Sequence, residues 1–171
     1  MSDPRVLVCG SRRWPWPATV HAVLNRLATR YGEHLVVIEG AASGADRAAH
    51  QWCLDRSLGA RHRCHPVDWD AIRRSRPDDW RRAGPERNTR MLLGERPQLI
   101  VAFHNAFDPA RGGTSDMCLK GVLCAVPVWL VPGADLRAGR WLSAKTFPRG
   151  RVGRVDRELG NGPPLSDYSP Q

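Results

Sequence analysis

Short apolar runs alternating with stretches of helical periodicity set the layout of this chain. Arg5 to Cys9 (RVLVC), Val36 to Ile38, Gln98 to Phe103 (QLIVAF) and Pro127 to Val131 (PVWLV) are nearly unbroken in apolar residues and too short for helices. Such runs suit strands buried on both faces, as in parallel sheets. Between the first two, Val20, Val23, Leu24, Leu27 and Ala28 recur at helical spacing, which predicts an amphipathic helix from Ala18 to about Tyr31, ended by Gly32. A second helix opens at Ala45 and closes near Leu58–Gly59. A third covers Glu86 to Leu93 with Pro85 in its first turn, and a fourth covers Met117 to Ala125. Ala60 to Val67 (ARHRCHPV) alternates weakly and reads as a strand towards an edge. The order predicts right-handed βαβ units: an α/β protein with a Rossmann-like, mostly parallel sheet of about five strands and helices on both faces.

Two stretches break the pattern. Asp68 to Pro85 is charged and Trp-rich, and reads as a surface excursion with short helical pieces. Beyond Pro132 the periodicity fades, so residues 1–132 are expected to form the domain. Residues 133–171 are expected to be an Arg-, Gly- and Pro-rich extension, largely disordered, with at most a short element between Arg140 and Phe147.

Ligands of such sheets bind at the carboxyl ends of the strands, so the chemistry is sought in the loops there. The loop after the first strand carries Gly10, Ser11, Arg12 and Arg13; the next runs Glu39, Gly40, Ala41, Ala42, Ser43, Gly44 into the helix at Ala45–Asp46. A strand, a small-residue loop and a helix start leave amides free for an anion, so this loop is either a phosphate cradle or a tight turn. Gly84 to Asn88 begins the third helix, and Arg111, Gly112, Gly113, Thr114, Ser115 and Asp116 lead into the fourth. Amides, guanidinium groups and hydroxyls gathered there would suit a nucleotide or phosphate ligand. Glu39 either meets a ribose or base or pairs with Arg, and Asp46 either meets the ligand or favours its helix start. Trp14, Trp69 and Trp80 either stack a base or pack at the core edge, and His104 is a candidate base at a strand end.

Charge adds a second partner class. The net charge is +9, almost all of the basic residues being Arg, which suits a polyanion or an anionic ligand but equally a GC-rich genome. Five scattered cysteines read as mostly reduced core thiols. Around His62, Cys64 and His65 no second ligand pair stands at zinc spacing, so no metal is expected. No apolar run reaches membrane-spanning length and the start, MSDPRVLVCGSRR, lacks a secretory layout, which makes a cytoplasmic location the default and a membrane partner unexpected.

GSRRW, IEGAASGADRAAHQW, VDW, AGPERNTRML, LIVAF and GGTSDM, in this order between about Arg5 and Leu130, resemble the DUF2493 family, the YspA-type branch of the SLOG superfamily. That superfamily groups Rossmann-like nucleotide-binding domains, among them the LOG phosphoribohydrolases and the DNA-processing protein DprA. The resemblance implies phosphate or ribose contacts from Gly10, Ser11, Arg12, Gly40, Ser43, Gly44, Asp46, Gly112, Gly113 and Thr114, with Arg87 and Asn88 as an Arg-Asn pair shared loosely with DprA. LOG enzymes hydrolyse the N-glycosidic bond of a nucleoside monophosphate with an Arg and a Glu. Here Met117 stands where that Glu would be, and Asp116 is one position early, about 100° around a helix. Asp116 therefore either caps its helix or takes a catalytic part with Arg87 and Asp46.

These observations imply a domain that binds a nucleotide or nucleotide-derived ligand, as a sensor or as a phosphoribohydrolase needing no metal or redox cofactor. The alternative is DprA-like binding of single-stranded nucleic acid through the Arg excess. The resemblance also implies a homo-oligomer, because LOG-like proteins tend to be dimers.

Overall fold

The computed structural model describes residues 2–160. Its centre is a six-stranded sheet, ordered β3-β2-β1-β4-β5-β6. The strands are β1 (Arg5–Gly10), β2 (Val36–Glu39), β3 (His62–Cys64), β4 (Leu99–Phe103), β5 (Val128–Val131) and β6 (Arg140–Trp141). The first five are parallel, and β6 returns antiparallel along β5. The helices are α1 (Pro17–Tyr31), α2 (Ala45–Asp55), α3 (Trp69–Ser75), α4 (Ala83–Glu95), α5 (Gly113–Leu123) and α6 (Arg149–Gly160).

Alternation within each apolar run divides the core into two layers. Val6, Val8, Val37, Val101 and Phe103 face α1 and α2, meeting Val20, Leu24, Ala45, Ala49 and Trp52. Leu7, Cys9, Ile38, Ile100 and Ala102 face the other way, onto Met91 and Leu92 of α4, Met117 and Leu119 of α5 and Val155 of α6. This is the doubly wound arrangement that the runs predict, with β3 at one edge as expected. The sheet reverses direction of growth between β1 and β4, which opens a crevice at the carboxyl ends of those two strands. Among the described residues no helix is long and apolar enough to cross a membrane.

Several boundaries differ from the sequence expectation, among them the start of α4 at Ala83 rather than Glu86 and the span of β3, His62–Cys64 rather than Ala60–Val67. The helix α2 ends at Asp55, short of Leu58, and α5 begins four residues before Met117, at Gly113. The expectation for the C-terminal extension is corrected over residues 133–160. There β6 pairs with β5, bringing Trp141 and Trp129 together at 4.7 Å between ring centroids, and α6 packs Val152, Val155 and Leu159 onto the core. Those three positions lie on one helical face, and their burial outweighs the Gly- and Arg-rich composition around them. Residues 161–171, the rest of that extension, lie outside the described residues.

Candidate functional site

The crevice between β1 and β4 holds a polar cleft of about 240 Å³. Its walls come from the loop after β1 (Gly10, Ser11, Arg12), the start of α2 (Asp46), the first turns of α4 (Gly84, Pro85, Arg87, Asn88), the stretch after β4 (His104, Phe107, Asp108, Arg111) and the start of α5 (Gly112, Gly113, Thr114, Ser115). Of the sequence-predicted residues, Gly10, Ser11, Arg12, Asp46, Arg87, Asn88, Gly112, Gly113 and Thr114 thus meet at one place. Glu39, Gly40, Ser43, Gly44 and Asp116 do not line the cleft.

The first wall is wired into the sheet. The Ser11 N–H donates to Phe103 O at 2.8 Å, and Ser11 O accepts from the Ala45 N–H at 3.1 Å. A Cβ on Gly10 would collide with the Phe103 carbonyl and with Ala45 Cβ, and one on Gly44 would collide with the backbone of Ser11 and Arg12. Gly44 also holds φ +74°, a conformation that favours glycine. These glycines let protein backbones approach each other, so the space expected for a phosphate is filled from within.

The loop between β2 and α2 has its own anion. Asp46 Oδ2 accepts from Gly40 N–H at 3.1 Å and Ala42 N–H at 3.3 Å, while Arg87 donates to the Gly40 and His65 carbonyls. The loop forms a tight turn closed on its own carboxylate, and its Ala42 lines the cleft. Burial, then the charge of Glu39, pushes the Asp46 carboxyl up to about 6, against the opposing pull of Arg87 and the two amides. Burial likewise lowers the pKa of Arg87, and its Nε is buried without a hydrogen-bond partner among the described residues.

The start of α5 is different. Nothing lies within 4 Å of a Cβ built on Gly112 or Gly113, and Gly112, at φ +99°, ends the loop before the helix. Its amides are presented at the cleft by a support that sequence reading missed: Arg151 on α6 donates to Ser115 Oγ, to Pro109 O at 2.8 Å and to Gly112 O at 3.5 Å. The signal for Arg151 is its place one residue before Val152 on the apolar face of α6.

Asp116 is the fourth residue of α5 and is buried. Its Oδ2 accepts from Asn88 Nδ2 at 3.0 Å and from Lys120 Nζ at 2.9 Å; Lys120 also donates to Pro85 O, and Asn88 to Gly113 O. The carboxylate ties α4 to α5. It accepts no N–H at the helix start, so the capping alternative is corrected: Gly112 is the cap residue.

Glu39 has neither an Arg nor an open side. It is fully buried; Oε2 accepts from the Ala41 N–H, and Oε1 meets His50 Nδ1 at 2.8 Å and His62 Nε2 at 2.9 Å. Cys64 completes this group, all four donor atoms lying within 4.8 Å of one another. Sequence spacing around His62, Cys64 and His65 misses it because the other members come from β2 and α2, and His65 turns instead to Glu95 on α4, at 2.8 Å. Trp14 is buried edge-on against Phe103, while Trp69 packs edge-on against Trp80 and lies under the Arg12 guanidinium at 5.4 Å. His104 does line the cleft; burial lowers its pKa, and Nδ1 accepts from the Ala106 N–H.

Sheet order and cleft together define a Rossmann-like α/β domain with a polar pocket at its switch point. Residues 4–71 match the model of YAcAr, the YspA, cpYpsA-related SLOG family. The match runs from β1 into the start of α3; the AGPERN and GGTSDM segments follow it in the chain and supply the opposite wall of the cleft. No curated protein and no solved structure matches significantly.

Proposed function

We propose that the cleft binds the phosphate and ribose of a nucleotide or nucleotide-derived ligand, and that the protein works as a binder of that ligand. One observation carries this reading: the open amide end of α5, at Gly112–Gly113–Thr114, faces the same cleft as Ser11, Arg12 and Arg87. A helix of this length beginning in open glycines attracts an anion, and the two guanidinium groups supply the counter-charge. A volume of about 240 Å³ sits at the small end of ligand clefts, which favours a mononucleotide-sized group over a dinucleotide. The SLOG match over residues 4–71 supports a nucleotide-related ligand of this kind.

Binding is favoured over N-glycosidic hydrolysis because the carboxylate nearest to the LOG motif, Asp116, is spent on Asn88 and Lys120. A hydrolase reading falls instead on Asp46 and Asp108, the carboxylates that line the cleft, with Arg87 beside the phosphate. The test is a melting panel of nucleoside mono-, di- and triphosphates, ADP-ribose-type and cyclic nucleotides and inorganic phosphate, with chromatography of each hit after incubation. Ligand at about a hundred times its Kd stabilises by about 2.7 kcal/mol. A hit recovered intact supports a binder; free base plus sugar phosphate makes it a hydrolase. No shift with any of them overturns the proposal and favours single-stranded nucleic acid, whose binding would weaken steeply with salt.

A further inference from the structure

We infer that Glu39, His50, His62 and Cys64 form a structural zinc site on the α2 side of the sheet, apart from the cleft. The backbone aims these groups at one point. His62 and Cys64 are two residues apart on β3 and so share a face, and in the parallel register Glu39 lies opposite Cys64. His50 comes down from α2 onto the same spot, its ring edge-on to His62 at 4.7 Å between centroids.

The donor geometry suits the ion. His50 Nδ1 and His62 Nε2 both point at Glu39 Oε1, at 2.8 and 2.9 Å, and Cys64 Sγ is 3.9 Å from His50 Nδ1. Around a tetrahedral zinc with bonds of about 2.0–2.3 Å, ligand atoms stand roughly 3.3–3.8 Å apart. Spreading the two imidazoles from the carboxylate by about half an ångström would seat the ion, with bond lengths as in known zinc sites.

The chemistry selects the metal class. Two imidazole nitrogens, one thiolate sulfur and one carboxylate oxygen are a borderline-to-soft set, unlike the all-oxygen cages of magnesium and calcium. With neutral imidazoles, the carboxylate and thiolate carry two negative charges, which balance a divalent cation. Binding releases the Cys64 thiol proton to the buffer. Four protein ligands leave no open position, so the ion is a clip rather than a catalytic centre. Entry is from the solvent side, where the His50 side chain is 39% exposed and Cys64 is exposed, while Glu39 forms the buried floor. The clip would join β2, β3 and α2 at the root of the loop that Asp46 closes.

The experiment uses the full chain without a polyhistidine tag, stripped with chelator and then given Co²⁺ or Zn²⁺ alone. One Co²⁺ per chain is expected, with tetrahedral d–d bands and a thiolate-to-cobalt charge-transfer band that Zn²⁺ abolishes. Cys64→Ser, at an exposed position, should fold normally and lose the charge-transfer band. In wild type, Zn²⁺ should slow iodoacetamide at Cys64 about tenfold and leave the other exposed thiol, Cys124, unchanged. A cobalt spectrum without the sulfur band, or equal alkylation of Cys64 with and without Zn²⁺, would overturn the proposal and leave a hydrogen-bonded network around Glu39.

Discussion

Arg151 on α6 donates to Ser115 on α5, and this contact fixes the amide end of α5 against the last helix of the domain. Both side chains are buried. The stretch that composition marks as a loose extension therefore holds one wall of the cleft.

Arg151→Met should keep the packing of the stem while leaving Ser115 and the Pro109 carbonyl without their donor. The expected loss is about 2 kcal/mol, read as a lower urea midpoint with an unchanged slope. Affinity for a phosphate-bearing ligand should fall with it. A truncation that asks whether the basic C-terminal stretch binds DNA has to retain Arg149–Gly160, since removing α6 also removes this support.

Gly10→Ala and Gly113→Ala should behave in opposite ways. At Gly10 the new methyl group meets the Phe103 carbonyl and Ala45, both fixed by the sheet and α2, and the cost should be about 3 kcal/mol or more. At Gly113 nothing stands in its way, and the better helix former should add up to about 1 kcal/mol. Gly113→Ala should nevertheless weaken binding of inorganic phosphate, because its methyl group stands at the amide end of α5. Calorimetry on the two variants separates a glycine kept for packing from one kept for a ligand.

That difference also marks how far the sequence is legible. The apolar runs of β1, β2, β4 and β5 announce themselves because a strand covered on both faces has no polar alternation to blur it. The loops fall at the expected strand ends, and nine of the twelve residues that the family resemblance selects line one cleft, while Gly40, Ser43 and Gly44 do not. What a glycine makes room for is not legible: the absence of a Cβ reads alike at Gly44, where another backbone fills the space, and at Gly113, where nothing does. The α6 helix escapes notice because Val152, Val155 and Leu159 are outnumbered by Arg and Gly. The Glu39, His50, His62 and Cys64 group escapes because metal-ligand spacing in sequence detects neighbours within a motif, not strands brought together by the sheet.

Asp46→Asn should reshape the dependence of stability on pH. The wild-type carboxyl titrates at about 6 in the folded protein against an ordinary 3.8, so the folded state holds the extra proton between those values. Its contribution to stability is full below about 3.8 and is lost as pH rises through about 6. The stability of Asp46→Asn minus that of wild type should therefore climb between pH 4 and pH 6.5 by on the order of 2 kcal/mol. Denaturant titrations at half-unit pH steps would show it; a flat difference would mean that the carboxylate is not strained by burial.

Asp116→Asn tests the buried tie between α4 and α5. Removing one partner of a buried pair strands Lys120, and a loss of about 3 kcal/mol is expected. Asp116→Leu combined with Lys120→Met should recover most of it, which a double-mutant cycle would measure. A catalytic carboxylate would give the reverse result, full stability with turnover abolished.

The two walls of the cleft differ in how they are held. Ser11 is bonded to β4 and to α2, whereas His104–Gly112 is tied to the sheet by the His104 N–H on Val131 O at one end and to α6 through Arg151 at the other, with local turns between. Under the proposed binding function, substitutions along His104–Gly112 should change how quickly the ligand escapes while the sheet stays intact, so that residence time and foldability would be set by different stretches of the chain.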